Sequence, residues 1–188
     1  DHAFDKLYDG VTATKEQLLN AGLNPIGTYT SQKDRDTAQT LEINGIKIGV
    51  VAYTDSTNNM EENISPIHLS YALRYIDWDD ISKTQANISS DIAQLRQAGA
   101  DLVITSFHWG TKFEEEPSSA QRNLAQYTLE AGADIIMGTG SHVAQPVTVK
   151  TITIDGQEKK VVVMYSLGNF FADQVADNNY KTQAGFIC

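Results

Sequence analysis

Three segments of the chain share one pattern, in which a run of apolar residues is followed by a polar residue suited to metal or acid–base chemistry. The segments are residues 101–110, 134–146 and 160–173. Apolar runs of this length, bounded by turn-forming residues, are typical of buried β-strands. In an open α/β sheet the loops that leave the carboxyl ends of neighbouring strands lie side by side. We therefore expect His108, His142 and Asn169 to converge on one crevice, although they are far apart in the sequence.

Two similar strings indicate how the strands are connected. QAGAD at residues 97–101 and EAGAD at residues 130–134 each join a helical pattern to a strand pattern. Apolar residues recur at helical spacing over residues 79–98 and 118–131, and the glycine that follows each helix is a common C-terminal cap. Successive helix–strand units imply parallel strands with right-handed crossovers. The pattern therefore predicts an α/β fold.

The flanking segments predict two hairpins and several shorter elements. Asn44-Gly45 separates two apolar runs and supplies the positive φ angles of a type I′ turn, so residues 41–54 should form a hairpin. Alternating β-branched residues predict a second hairpin over residues 147–166, with its turn at 155–156. We also expect a helix at residues 14–21, a loop at 55–70 and short strands at 26–29, 73–76 and 184–188.

The bulk composition favours one domain and argues against nucleic-acid binding. With 188 residues, of which 41% are hydrophobic, the chain suits one sizeable core, so we expect a single domain over residues 1–188. The net charge of −10 leaves no basic stripe that would neutralise nucleic-acid phosphates. Any other polyanion would also be repelled at long range, so only a local cation, a bound metal or exposed backbone amides could hold it.

The cysteine content and the chain ends add two expectations. The single cysteine, Cys188, cannot form an internal disulfide, and no apolar run approaches the roughly 18 residues of a membrane span. The sequence opens without Met or a signal peptide, at a segment rich in functional residue types, and it stops within an apolar segment. We expect it to be a piece of a longer protein.

Several motifs, in their order and spacing, resemble those of one bacterial family. They are DHAFD at residues 1–5, HWG at 108–110, EP at 116–117 with Gln121, AGAD at 131–134 leading to Gly138, HVAQP at 142–146 and YSLGNF at 165–170. Over nearly its whole length the chain resembles the capsule-synthesis proteins of the CapA or poly-γ-glutamate type. The opening DHAFD is similar to the end of that family's Asn-Asn-His-Ala-x-Asp motif.

The resemblance implies a fold and a metal site. The family is a branch of the calcineurin-like metallophosphoesterases, α/β sandwiches of mixed sheets flanked by helices, which hold two metal ions between the sheets. An earlier strand and loop of that fold carry Asp residues that bind and bridge the metals, and they would precede Asp1. We therefore expect this chain to lack the first strands of the fold and to be unable to form a complete dinuclear site alone.

The resemblance also assigns roles to individual residues. Asp1, His108 and His142 are the expected ligands of a divalent metal such as Mn, Zn or Fe, because neutral imidazoles at strand ends and carboxylates commonly bind these ions. His2 matches the histidine that protonates a leaving oxygen, and Asp5 would hold its loop. Two alternatives remain open, since His108 is equally suited to bond a backbone carbonyl and residues 1–2 to be a frayed terminus.

One segment departs from the family pattern. Where the family often has Gly-His-His-Pro-His, this chain has Thr139 and Gly140 at the positions of the first two histidines. An imidazole ligand is therefore lost, and a second metal would be held loosely or not at all. The Gly-Thr-Gly string lacks the third glycine of a dinucleotide fingerprint and the Lys-Ser/Thr of a P-loop, so phosphate cradling is disfavoured.

Further residues are candidates for secondary roles. Trp109, Gln145 and Asn169 would contact substrate or orient metal-bound water, although Asn169 could equally cap its own turn. Glu116, next to Pro117 in the family's register, is a candidate catalytic residue within an otherwise solvated acidic run. His68 matches no motif and is predicted to be a surface residue.

Two functions follow from these assignments. The first is a metal-dependent phosphoesterase-like hydrolase that serves the synthesis, export or anchoring of a poly-γ-glutamate type capsule. The second is a non-enzymatic accessory with an eroded metal site that binds the polymer. The resemblance implies capsule polymer and capsule-synthesis membrane proteins as partners. It also implies a location outside the cytoplasmic membrane, with anchoring through a segment absent from this chain.

Overall fold

The structure is a computed structural model that describes residues 1–154, 156–170 and 180–187. Five α-helices are found in these ranges: α1 (Leu7–Asn20), α2 (Gln32–Arg35), α3 (Pro66–Ala72), α4 (Ile81–Gln97) and α5 (Ser119–Glu130). Six strands accompany them: β1 (Thr40–Ile43), β2 (Ile46–Thr54), β3 (Leu102–His108), β4 (Ile135–Thr139), β5 (Val147–Ile154) and β6 (Gln157–Met164). Three short 3₁₀-helices cover His2–Phe4, Glu61–Asn63 and Tyr180–Gln183.

The six strands form one mixed sheet in the order β1-β2-β3-β4-β6-β5. The inner strands β2, β3, β4 and β6 are parallel, and β1 and β5 pair antiparallel at the two edges. Helices α4 and α5 connect β2 to β3 and β3 to β4, which is the crossover arrangement of successive helix–strand units. The predicted α/β class, with a mixed sheet flanked by helices, is confirmed.

One face of this sheet is buried against α4 and α5. Side chains alternate along a strand, and in β3 they alternate strictly between half-buried and fully buried positions. Val103 and Phe107 point to the buried face, where they join the core with Ile92 of α4 and Leu124 of α5. Each of these four side chains is at most 1% exposed. This packing fixes which residues of each strand point toward the core.

The opposite face of the sheet is also apolar but only half-buried. Ile104, Ile135 and Val162 lie opposite one another across β3, β4 and β6, and all three have intermediate exposure. Parallel strands usually read as continuous apolar runs because both of their faces are covered. The continuous apolar runs of the sequence are therefore explained by side chains on both faces of this sheet.

Local signals fix the element ends. Ser118 caps α5 with a capping box, since its hydroxyl accepts from the Gln121 N–H while the Gln121 side chain accepts from the Ser118 N–H. At the first hairpin, Asn44 and Gly45 have φ angles of 52° and 81°, as a type I′ turn requires. Both predicted hairpins are present, although Asp155 in the second turn lies outside the described residues.

Four predicted elements are wrong. Residues 26–29 form no strand, because the Tyr29 N–H bonds to Ala72 at the end of α3 instead of to a neighbouring strand. Residues 73–76 contribute a single parallel bridge between Thr54 and Tyr75. Residues 184–187 likewise make one bridge, and Cys188 lies outside the described residues. The expected loop at 55–70 contains most of α3, which begins at Pro66. Proline at the first helical position is favourable, and this signal was overlooked.

No helix in the described ranges is both long enough and apolar enough to cross a membrane.

Candidate functional site

The carboxyl ends of three parallel strands lie level with one another. Thr54 of β2 is the register partner of His108 in β3, and His108 is the partner of Thr139 in β4. The His108 Nδ1 atom lies 3.2 Å from the Thr139 hydroxyl oxygen, so a side-chain hydrogen bond links β3 to β4. The His108 side chain remains 27% exposed. The strand ends therefore present an accessible imidazole at the centre of this edge.

The carboxylate of Asp1 lies between two imidazoles. One oxygen is 3.5 Å from His108 Nε2, and the other is 3.7 Å from His2 Nε2. His2 is well exposed, and its Nδ1 lies 2.9 Å from the Asp5 carboxylate. The adjacent Phe4 is buried in a small apolar cluster, which anchors the 3₁₀-helix that carries these residues. The first five residues are therefore packed against the sheet edge.

A cavity of about 180 Å³ opens at this edge. Asp1 and His108 line it on one side, and Ser106, two residues before His108 on the same face of β3, also lines it. Leu73 and Arg74 close another side. The charged head of Arg74 is itself held by a bidentate ion pair with Asp91 on α4, at 2.6 and 2.9 Å. The cavity therefore has a fixed wall opposite its titratable groups.

Burial keeps the His108 ring neutral. Loss of solvent lowers the pKa of His108 to about 4, and the nearby charge of Asp55 opposes this shift only in part. Positive charge on His142 or His2 acts in the same direction as burial, which places both rings in the electrostatic neighbourhood of His108. At neutral pH the ring is therefore unprotonated and able to accept a proton or bind a cation.

Asp55 is a site residue that the sequence analysis missed. It follows β2 directly, and its carboxylate accepts hydrogen bonds from the Gly110 N–H at 3.0 Å and the Trp78 indole N–H at 3.3 Å. Its own N–H donates to the His108 carbonyl at 3.0 Å. The rule that selected His108, a polar residue at the end of an apolar strand, would also have selected Asp55.

His142 and Asn169 lie beside each other. The His142 Nδ1 atom is 3.2 Å from the Asn169 side-chain oxygen, and the Asn169 amide donates to the Thr182 carbonyl at 3.0 Å. His142 has a φ angle of 63°, a left-handed conformation that is uncommon for a side chain of this size. This backbone turn presents its ring toward Phe113, with the ring centres 6.0 Å apart. The sequence analysis correctly expected the loops after β4 and β6 to meet.

Three other candidates lie in different surroundings. Trp109 is fully buried, stacks on Phe107 and donates its indole N–H to the Tyr165 carbonyl, so it packs in the core and does not face a substrate. Gln145 is 2% exposed and donates to the Glu114 carbonyl, which gives it a role in joining two loops. The Glu116 side chain is 70% exposed and lies 3.4 Å from Arg122 in a surface ion pair. The structure does not bring Glu116 into the crevice lining.

Comparison with known proteins identifies the family. The family model described as bacterial capsule synthesis protein PGA_cap matches residues 1–174. The chain belongs to this family. A capsule biosynthesis protein CapA of Bacillus anthracis is 29% identical over 93% of this chain and 39% of its own length. A PGA biosynthesis protein CapA of Bacillus subtilis strain 168 is 27% identical over 93% of this chain and 41% of its own length. The chain thus spans about two fifths of these relatives.

A crystal structure of a hypothetical protein from Thermus thermophilus is similar to 70% of this chain and 38% of its own, at 18% identity. The TM-score of 0.37 is too low to support an argument about this fold.

Close backbone packing explains why this capsule-synthesis chain lacks a histidine at position 140. Gly140 has a φ angle of +118°, and an added Cβ atom would lie 2.5 Å from the Trp109 carbonyl oxygen. Backbone cannot yield as the end of a flexible side chain can, so no larger residue fits there without a shift. Position 139 is different, because its half-exposed side chain already reaches His108. Of the two missing imidazoles, only the one at position 139 has room.

The donor set does not fit a complete metal centre. Catalytic zinc sites use three protein ligands, and two-metal sites need more. Within residues 1–154, 156–170 and 180–187, no three His, Cys, Asp or Glu side chains are grouped so that they could hold a metal ion. Asp1 and His108 are adjacent, and His142 bonds to Asn169 instead of to this pair. The described part of the site offers acid–base chemistry from side chains.

Proposed function

We propose that the chain takes part in the synthesis, export or anchoring of a capsule polymer of the poly-γ-glutamate type. The match of the capsule-synthesis family model to residues 1–174 is the observation that carries this proposal. The names of the two Bacillus relatives support it. We further propose the polymer and capsule-synthesis membrane proteins as partners, outside the cytoplasmic membrane. Because the chain carries a net charge of −10, contact with an anionic polymer would depend on local donors.

The first candidate activity is hydrolysis of a phosphoester or amide bond. The arrangement of the Asp1 carboxylate between the rings of His2 and His108 supports it. His2 is the exposed member, and its contact with Asp5 fixes the ring so that Nε2 can pass a proton to a leaving group. A divalent ion such as Mn, Zn or Fe would supply Lewis acidity when bound near Asp1, His108 and His142. The proton-transfer role of His2 rests on its own contacts.

Turnover of a simple phosphodiester tests this candidate. Dialysed protein is assayed with bis-para-nitrophenyl phosphate in the presence of added Mn²⁺ or Zn²⁺. We expect hydrolysis that is lost in His108→Ala and in His2→Ala and retained in His68→Ala, whose ring stacks on Tyr8 away from the strand ends. If the protein neither binds the ions nor hydrolyses the ester, the hydrolase candidate fails.

The second candidate is a non-enzymatic accessory that binds the polymer. It is favoured by the incomplete donor set in the described ranges and by the backbone packing that excludes a side chain at Gly140. Co-sedimentation with poly-γ-glutamate in the absence of added metal would support it. Robust turnover that disappears in His108→Ala would count against it. The two candidates therefore give opposite results in the same pair of assays.

A further inference from the structure

A second cavity, of about 250 Å³, lies next to the crevice at the strand ends. We call it the side cavity; its lining residues are Phe4, Thr57, Glu61, Leu69, Leu73 and Tyr75. Leu73 lines the crevice as well, so the two spaces share a wall. At about 30 Å³ for each water, the side cavity has room for roughly eight water molecules or a small organic molecule. Protein interiors rarely leave voids larger than one water molecule.

The side cavity has apolar walls and one acidic end. The rings of Phe4 and Tyr75 and the side chains of Leu69 and Leu73 supply the walls. The acidic end is the carboxylate of Glu61, which accepts a hydrogen bond from the Thr57 hydroxyl. The described lining includes no Lys, Arg or His. The charge of the carboxylate is therefore not matched by a cation within the cavity.

Local bonds keep this carboxylate ionised and in place. The hydrogen bonds from Thr57 and from the Glu61 N–H lower the pKa of Glu61, so the group is charged at neutral pH. Thr57 is 2% exposed and also shares a hydrogen bond with the Tyr75 hydroxyl, which ties the acidic end to the cavity wall. A fixed anion beside apolar walls complements a ligand that has a cationic head and a hydrocarbon body.

We propose that the side cavity binds a small primary amine in its protonated form, with the ammonium group on Glu61 and an apolar body against Leu69, Leu73 and Phe4. An ammonium group supplies three donors to a carboxylate and to nearby hydroxyls. A carboxylate ligand would be repelled, and a neutral alcohol would lose the charge interaction. This binding goes beyond the proposed function and does not depend on turnover or on a metal.

Titration by amide-detected NMR at pH 7 tests the proposal with hexylamine, hexanol and hexanoate as probes. We expect shifts at Leu69 and Tyr75, with hexylamine bound most tightly and hexanoate least tightly. Glu61→Gln should weaken hexylamine about three- to fivefold, the range expected of a partly exposed ion pair, and should leave hexanol unchanged. Glu62→Gln is the matched control, since it removes the same charge from an exposed neighbour outside the lining. Equal effects of the two variants, or no shifts at all, would overturn the proposal.

Chain length of the probe tests the apolar walls. Butylamine lacks two methylene groups, and each buried methylene contributes about 0.8 kcal/mol, so butylamine should bind roughly tenfold more weakly than hexylamine. Equal binding of the two amines would mean that only surface charge attracts them, and the side cavity would then not be their site. Loss of hydrolase activity with amine binding retained would reject only the hydrolase candidate.

Discussion

Replacing Gly140 with alanine should destabilise the protein much more than a similar replacement in open surroundings. Gly140 has a φ angle of +118°, and a new Cβ atom would lie 2.5 Å from the Trp109 carbonyl oxygen and 2.9 Å from its nitrogen. The left-handed backbone costs about 1–2 kcal/mol for a residue with a Cβ atom. Overpacking against backbone adds about 1–3 kcal/mol. We therefore expect a total loss of about 2–5 kcal/mol.

Gly22 provides the matched control. Its φ angle is +74°, but no atom lies within 4 Å of an added Cβ, so Gly22→Ala carries only the backbone cost. Urea denaturation followed by circular dichroism gives the free energy of unfolding for both variants. The Gly140 variant should lose about 1–3 kcal/mol more than the Gly22 variant. Equal losses would refute the conclusion that backbone packing excludes a side chain at position 140.

Three further predictions concern the same edge of the sheet and its support. Burial lowers the pKa of His108 to about 4, below the unfolded value of about 6.5, so the ring's contribution to stability is complete above pH 6.5 and is lost as the pH falls toward 4. An imidazole NMR titration should show a midpoint well below 6.5, and one above 6.5 would contradict the burial argument. Asp91→Ala should cost about 3–5 kcal/mol in urea denaturation, because it strands the buried charge of Arg74; a loss under about 1 kcal/mol would contradict this. Thr139→His should tighten Zn²⁺ binding about tenfold by calorimetry, since it adds an imidazole beside His108, and unchanged affinity would show that the new ring does not reach the ion.

Local chemistry in the sequence predicts those elements that do not depend on distant partners. The hairpin at Asn44-Gly45 follows from the φ angles that these two residues adopt readily. Helices α4 and α5 follow from apolar periodicity and from the glycines after their ends, Gly99 and Gly132, which both have positive φ. The missing strand at 26–29 could not be predicted, since the hydrogen bond from Tyr29 to Ala72 depends on tertiary contacts.

The candidate site is predictable only as far as strand order is implied by the sequence. Two helix–strand units place His108 next to Thr139, and this is the arrangement found. The depth of Trp109 is not predictable from its motif, because an aromatic residue directly after a strand suits a rim as well as a core. The ion pair of Arg74 with Asp91 joins residues that no local pattern relates, so the fixed wall of the crevice could not be foreseen.

Line broadening by Mn²⁺ tests most directly whether the strand ends form one site around His108. Imidazole signals of the chain's four histidines are recorded while Mn²⁺ is added below one equivalent. We expect the His108 and His142 signals to broaden together and the His68 signal to broaden least. Broadening of one of these two rings without the other, equal broadening of His68, or no broadening of any ring would contradict a shared site for the ion at the carboxyl ends of β3 and β4.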